Sequence, residues 1–505
     1  TRHSATTEPD GRYRLTDVPA GTYRIRVRYI GYTPLVAPLA VSADTEATAD
    51  IALQKSVQPL DEVVVTGTLI PTEVKALPTP VTVVTASEIA LQRPTTMMGL
   101  FRQAVPTAVS WDRPSASYFG AFSVRGASNL SGGTAQLKVF VDGTEVALPS
   151  VPGIDPTSIE RMEVIRGPQA AAIYGSEAIG GVIQIFTKRG DPSLARPRVM
   201  AEASLGVGQT PYAGFNDVLR PGVMTSLSGG GGGVSYNLQG NYTHSADWLP
   251  NEESAHSKYG VSGGVYDTRG IVALDFSGRH HVQNAPVVVR PEFVSTGISD
   301  FSQPNFRSDR FTNQTVGARL SVVATPWWQH TLRVGIDRYT DDLVQSRPRF
   351  TFPEDTLLWV INQSLTKTFV AYNTAVQGGL GGGVSGSLTA GFDHHHLPNV
   401  SFASFGALNT SGSIQPAPGF PVSASRSVTN NTGYFAQAQL GIRDALFLTA
   451  GLRAEQSTNF GDSLGTPLAP RVGVSYVQQV SKATIKLRGS WGRAIRAPFP
   501  GMNEG

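Results

Sequence analysis

The 505-residue sequence has no cysteine, which excludes a disulfide framework and thiolate zinc sites and leaves the compartment open. Charged residues are scarce, 16% against about 25% in an ordinary soluble domain. No run of about 18 apolar residues exists that could cross a bilayer as a helix, so a membrane can be met only as strands. A net charge of +3 is too small over this length to argue for nucleic acid, and no basic stripe interleaved with aromatics appears. The chain opens at Thr1 without an initiator Met or a charged-then-apolar leader, and is expected to be a fragment or a mature form. What it has in quantity is glycine, 54 residues, and short segments that alternate apolar with polar residues.

The first unit, residues 1–55, shows the alternation clearly. Tyr23, Ile25, Val27 and Tyr29 interleave with Arg24, Arg26 and Arg28, the period of a strand with one buried and one wet face, and Asp10-Gly11 and Ala20-Gly21 supply turns. This unit resembles the carboxypeptidase-regulatory-like domain, a prealbumin-like β-sandwich expected here to be truncated at its N-terminus. That domain carries no peptidase chemistry, no zinc-ligand set is present, and the three arginines read as a solvated face. A linker follows at 56–72. It holds Asp61, Glu62, Val63, Val64, Val65, Thr66, Gly67 and Thr68, a β-prone segment between Pro59 and Pro71. Two readings stay open: a strand that packs on its own domain, or an edge that another protein pairs with by β-augmentation.

Residues 73–190 mix helix and strand. Val81 to Val84 reads as a strand, Ser87 as the N-cap of a short helix at Glu88 to Leu91, and a second helix is expected after Pro94. A dense set of motifs follows: Val124-Arg125-Gly126, Val141-Asp142-Gly143, Ile159-Glu160-Arg161 with Glu163, Arg166-Gly167-Pro168, Tyr174-Gly175, Gly180-Gly181-Val182 and Thr187. Together they resemble the plug domain of TonB-dependent outer-membrane receptors, departing only at Gln184, where the family usually shows Asn. The resemblance implies a plug inside a polar-walled barrel. Glu160, Arg161, Glu163 and Arg166 would then latch the plug to the wall across a wet interface that force can open; alternatively they satisfy one another within the plug. It also implies that 61–68 is the segment TonB binds, and that plug apices at Asp112 to Gly120 and Asn129 to Thr134 meet the ligand, with Arg113, Tyr118, Phe119 and Asn129 as candidate contacts.

From 191 to 505 the chain is strand after strand. Val234, Tyr236, Leu238, Gly240 and Tyr242 alternate with Ser235, Asn237, Gln239, Asn241 and Thr243, and Ala483 to Trp491, Thr315 to Ala324, Leu446 to Arg453 and Val272 to Arg279 repeat the pattern. A membrane barrel requires this dyad over about 10 residues; a soluble sandwich can show it too. Tyr and Trp near strand ends, and long loops expected at Gln283 to Asn313 and His395 to Asn431, favour the barrel. About 14 strands are countable, whereas the family implies about 22, so the C-terminal strands are expected to be missing. The fold class is therefore mainly β: a transmembrane antiparallel barrel, incomplete here, plugged by an α+β domain and preceded by the truncated sandwich.

Other features carry less. In His394-His395-His396 neighbouring side chains of a strand diverge, so at most two converge, and the triple reads as a polar run rather than a metal site. The Gly229 to Gly233 run lacks the Lys-Ser or Lys-Thr pair of a phosphate loop and reads as a turn. No catalytic residue, cofactor or metal is expected. The resemblance implies energy-coupled uptake at the outer membrane of a Gram-negative-type cell, with TonB and its inner-membrane motor, outer-membrane lipid and a siderophore, cobalamin, glycan or peptide ligand as partners, and a SusD-like lipoprotein if the ligand is a glycan or peptide. A passive outer-membrane channel and a secreted β-rich adhesin are the alternatives; only an energised receptor needs the 61–68 segment.

Overall fold

The computed structural model describes residues 12–16, 18–27, 35–42, 46–52, 63–64, 72–105, 108–110, 122–124, 127–128, 137–167, 170–191, 196–209, 217–245, 256–267, 271–285, 307–348, 356–408, 414–416, 422–460, 465–480 and 483–495. It divides into two compact units, Thr1–Val63 with Glu73–Lys75, and Val64–Thr72 with Ala76–Gly505. In the first, β1 (Gly21–Val27) pairs antiparallel with β2 (Leu35–Val41), from Gly21↔Val41 to Val27↔Leu35. The short strands β3 (Val63–Val64) and β4 (Thr72–Glu73) make a two-stranded sheet.

In the second unit the plug runs through β5 (Val81–Thr85), α1 (Ala86–Gln92), α2 (Met97–Ala104), β6 (Ala108–Ser110), β7 (Phe122–Val124), β8 (Ala127–Ser128), β9 (Leu137–Val141), β10 (Thr144–Val146), β11 (Ile159–Arg166), α3 (Ala171–Tyr174) and β12 (Gly181–Thr187). Its main sheet has the order β10-β9-β12-β11-β5, antiparallel except for β9 beside β12. The helix expected at Glu88 begins earlier, with Thr85 rather than Ser87 as N-cap. Thr85 Oγ1 accepts from Glu88 N at 3.3 Å while Glu88 Oε2 accepts from Thr85 N at 2.8 Å. This reciprocal box satisfies two orphan donors, whereas a cap at Ser87 would satisfy one.

Period-2 alternation splits the sheet. Leu137, Val139, Val141, Met162, Val164, Ile183 and Ile185 join Ile89, Leu100 and Phe101 from the helices in one apolar core. The alternate residues Lys138, Phe140, Glu163 and Gln184 are buried on the opposite face. The sheet is thus covered on both sides, once by its own helices and once by polar groups outside that core.

The wall comprises β13 (Arg198–Gly208), β14 (Val218–Gly231), β15 (Val234–Ser245), β16 (His256–Asp267), β17 (Val272–Ala285), β18 (Arg307–Thr325), β19 (Trp328–Pro348), β20 (Thr356–Gly381), β21 (Val384–Leu408), β22 (Ile414–Pro416), β23 (Ser423–Ile442), β24 (Leu446–Ser457), β25 (Leu468–Val480) and β26 (Ala483–Gly492). They form one 14-stranded antiparallel sheet in chain order, with β22 off the path against β21. Among the described residues β13 pairs only with β14, and β26 only with β25. One end carries tight turns. Gly232 and Gly233 take positive φ of 61° and 83°, which makes the glycine run a hairpin. The long connections lie at the other end, but they are shorter than expected. β17 continues to Ala285, β18 starts at Arg307, β21 continues to Leu408 and β23 starts at Ser423. His395 to Ala403 keeps its ladder with β23, and much of it also with β20, so the segment extends the sheet instead of leaving it.

The faces of this sheet are inverted relative to a soluble protein. Outward-pointing Leu238 is 49% exposed and Leu487 63%, while Asn237, Gln239 and Asp337 are buried against the interior. Such a wall is stable only where its outer medium is apolar. Aromatic residues form two outward rows. Trp327 and Trp328 sit at the β18–β19 turn. Farther up, Tyr242 and Phe392 lie eight residues past Val234 and Val384, and Tyr434 eight before Ile442. Tyr372, Phe392 and Tyr434 make ring contacts at 6.2 and 6.5 Å across adjacent strands. In register Trp328 lies opposite Val376 of β20, four residues from Tyr372, so the two sets of rings stand about 13 Å apart along the strand at about 3.3 Å per residue.

Candidate functional site

The plug meets the inner face of the wall through discrete polar clusters. β10 carries Glu145 opposite Phe140 of β9, on the face turned from the plug core. The Glu145 carboxylate bonds Lys367 Nζ of β20 and lies 3.6 Å from Lys138 Nζ. Burial alone would raise its pKa, but Lys138, Lys367 and His395 hold it well below the usual carboxylate range. Beside this pair Phe140 contacts Phe369 edge-on at 5.8 Å and Tyr174 at 5.5 Å.

A second cluster centres on Asp337 of β19, fully buried. It accepts from Ala147 N at 2.9 Å and Ser150 Oγ at 2.7 Å on the plug, and from Asn313 and Thr315 of β18. The third is built on β24. Arg453 donates to both oxygens of Asp393 at 2.6 and 2.9 Å, to Glu455 at 3.0 Å and to the carbonyl of Ile173 in α3 at 2.8 Å. Glu455 accepts from Ser176 N and, at 2.7 Å, from Ser176 Oγ. The preceding Gly175 has φ +93°, and a Cβ there would stand 2.8 Å from both Arg453 Nη2 and Glu455 Oε2. The close approach and the backbone both require glycine. Smaller contacts are Asp155 with Asn241, Thr187 with Tyr266, Arg189 with Asp275 at 3.3 Å and Lys486 with the carbonyl of Leu77 at 3.1 Å.

The motif residues expected from the sequence fall as follows. Asp142 (φ +49°) stands in the turn with Gly143 (φ +87°) and accepts from Thr187 N and Oγ1 at 2.9 and 2.6 Å, while burial raises its pKa. Glu160 is exposed. Arg161 pairs with Glu163 at 2.7 Å and lies over Phe186, and Arg166 donates to Thr82. These contacts of the expected latch quartet lie within the plug. Gly167 (φ +96°) donates its N–H to the carbonyl of Gly180, and Gly181 packs on the Ile165 carbonyl, closing the β11–β12 unit. Tyr174 receives a bond from Gln184 at 3.3 Å. Arg125, Gly126, Pro168, the candidate ligand contacts Arg113, Tyr118, Phe119 and Asn129, and Asp61, Glu62, Val65, Thr66, Gly67 and Thr68 lie outside the described residues; Val63 and Val64 form β3.

The sequence reading missed Glu145, Asp337, Lys367, Arg453 and Glu455. Their only signal was a charge at the inward register of a dyad strand. Glu145, Glu177 and His395 come within 4.8 Å of one another, a spacing that could hold a metal. Lys367 lies 3.8 Å from Glu177 and bonds Glu145, with Lys138 beside it. Two ammonium groups already balance the two carboxylates, so the donor set does not fit a cation. The arrangement holds a plug to a wall through polar groups that separate without exposing a continuous apolar seam.

A family model described as TonB dependent receptor-like, beta-barrel matches residues 247–505, and the TonB-dependent Receptor Plug Domain model matches 73–182. The Carboxypeptidase regulatory-like domain model matches 1–54. TonB-dependent receptor P39 of Formosa agariphila is 30% identical over 199 residues, 39% of this chain and 18% of that protein. Among solved structures, the RagAB peptide importer in its open-open state aligns with a TM-score of 0.67 at 13% identity, covering 85% of this chain and 61% of that one. The unliganded ferric citrate transporter FecA aligns at 0.64 and 14%, covering 83% and 63%. The ferric preacinetobactin receptor BauA of Acinetobacter baumannii aligns at 0.59 and 12%, covering 84% and 65%. At these identities the structural likeness is one of fold, and the chain spans less than two thirds of the length of each relative. The barrel-model match over half of the chain, joined to the plug match that precedes it, makes the chain a member of the TonB-dependent receptors.

Proposed function

We propose that the protein is an outer-membrane receptor that takes up a scarce or bulky ligand by energy-coupled transport. Ligand is caught at the long-loop end of the wall, TonB pairs with the segment 61–68, and pulling on the plug opens the path inward. The carrying observation is the make-up of the plug–wall contact, where buried charges at Glu145–Lys367, Ser150–Asp337 and Ser176–Glu455–Arg453 do the holding. Such contacts are strong while aligned and lose little on re-hydration, which suits a plug that must be released and reseated. No step needs a catalytic residue. RagAB is a peptide importer and PiuA of Acinetobacter baumannii a siderophore receptor; both ligand classes stay within this reading, as do cobalamins and glycans, with a surface lipoprotein partner in the peptide or glycan case.

The test is accumulation of labelled peptides, glycans, cobalamin and ferric siderophores by cells carrying the full-length gene, compared with a deletion strain. One class should accumulate in a gene-dependent way and stop on adding a proton uncoupler. Gene-dependent accumulation that ignores the uncoupler would instead support a passive channel.

A further inference from the structure

The histidine triple does not act as one group. β21 alternates, so His395 faces the plug and is buried, while His394 and His396 share the outward face and are half-buried. The ladder with β23 sets His394 opposite Thr432 and His396 opposite Asn430. Each imidazole uses Nδ1 on the residue opposite. His396 Nδ1 donates to Asn430 Oδ1 at 2.7 Å, since a carbonyl oxygen only accepts, and His394 Nδ1 lies 2.8 Å from Thr432 Oγ1, which can accept in the same way. An imidazole protonated at Nδ1 carries its lone pair on Nε2. Among the described residues neither Nε2 has a hydrogen-bond partner.

We propose that His394 and His396 form a two-imidazole site for a borderline divalent cation, Cu2+, Ni2+ or Zn2+, on the outside of the wall. The two Cα atoms of such a pair are about 6.6 Å apart, and their side chains leave the sheet in parallel. Rotation about each side chain brings two Nε2 atoms to one ion at about 2.0–2.1 Å, with water completing the shell. Asn430 and Thr432 hold the rings from behind; Asn430 Oδ1 fixes the tautomer of His396, and Thr432 Oγ1 accommodates the same one at His394. The pair lies two and four residues beyond Phe392 of the upper aromatic row, opposite Val370 and Thr368 of β20. Imidazole ligands select these metals over Mg2+ and Ca2+. No cationic side chain contacts either ring among the described residues, in contrast to the Glu145–Glu177–His395 set.

The probe is Cu2+ alone, titrated into purified full-length receptor and followed by nitrogen hyperfine coupling in the electron paramagnetic resonance spectrum. The parent should show two coordinated imidazole nitrogens. H394Q or H396Q should weaken Cu2+ about 100-fold, the loss of one arm of a chelate, and Asn430→Ala about tenfold through loss of the orienting bond. His280→Gln, another imidazole with no histidine partner on its face, should change nothing. Heat-modifiable gel mobility confirms that each variant is folded. A one-nitrogen spectrum in the parent, or unchanged affinity in folded H394Q and H396Q, overturns the site; unchanged affinity in folded Asn430→Ala overturns the orienting role.

Discussion

Replacing Glu455 with alanine tests the plug clasp where it is densest. The carboxylate accepts from Ser176 N, Ser176 Oγ, Asn431 Nδ2 and Arg453 Nε, and all of these are buried. Removing one member of a buried ion pair costs about 3–5 kcal/mol. Arg453 retains Asp393, so the lower part of that range applies, and the stranded Ser176 donors are the main part of the loss, about 1–3 kcal/mol each before relaxation. A net 3–4 kcal/mol corresponds to about 10²- to 10³-fold in the undocking equilibrium, at about 1.4 kcal/mol per tenfold. Hydrogen exchange at the Ser176 amide of the folded full-length receptor reads that equilibrium directly. Glu455→Ala should accelerate it by about 10²- to 10³-fold, Ser176→Ala by about tenfold through loss of one hydroxyl bond, and exposed Glu160→Gln by no more than about twofold. Unchanged Ser176 exchange in a folded Glu455→Ala receptor, or an equal effect of Glu160→Gln, would refute the clasp.

Three further outcomes follow from the same geometry. Leu238→Arg, outward and within the apolar band, should cost about 2–4 kcal/mol of assembly, whereas outward Gln314→Arg above the band should cost about 0–1; assembly yields from heat-modifiable mobility compare them, and equal yields contradict the facing. The pKa of Glu145 is depressed in the folded protein, so its contribution is complete above the ordinary glutamate value of about 4.3 and is lost as pH falls through the folded value. Glu145→Gln should therefore lower plug stability at neutral pH and flatten its decline below about pH 4.3, measured by denaturant titration at each pH. Thr85→Ala should destabilise the plug by about 1 kcal/mol and Ser87→Ala by less, because the capping box belongs to Thr85; melting curves of the two decide it.

Period-2 alternation made the wall readable as strands with one apolar and one polar face, as at Leu238 against Asn237, while the outward direction of the apolar face came from the structure. The plug was readable through its glycines: Gly143, Gly167 and Gly175 take positive φ, and each was visible as a motif letter. The clasp was not, because Asp337 or Glu455 within a dyad strand looks like any lumen-facing polar residue, and the partners at Ser150 and Ser176 are 187 and 279 residues away. The quartet around Arg161 drew attention by its charge density, yet positions i and i+2 of one strand share a face, so Arg161 and Glu163 meet each other first. The extension of β21 to Leu408 was hidden by Pro398 and by the polar run before it, which resemble a loop until both neighbouring strands supply a ladder.

The most direct test of an energised receptor is the Val64→Pro variant, assayed for surface binding and for uptake of the same labelled ligand, each with and without a proton uncoupler. Proline removes one backbone donor, fixes φ and restricts Val63, so pairing by β-augmentation fails while the ligand loops are untouched. Val64→Thr keeps β propensity and the main-chain donors, and serves as control. The account predicts that Val64→Pro cells bind ligand normally and accumulate none, that Val64→Thr cells accumulate it, and that the uncoupler abolishes this accumulation. Uptake that survives Val64→Pro and ignores the uncoupler would contradict it and leave a passive channel, and loss of binding together with uptake would make the segment a structural strand.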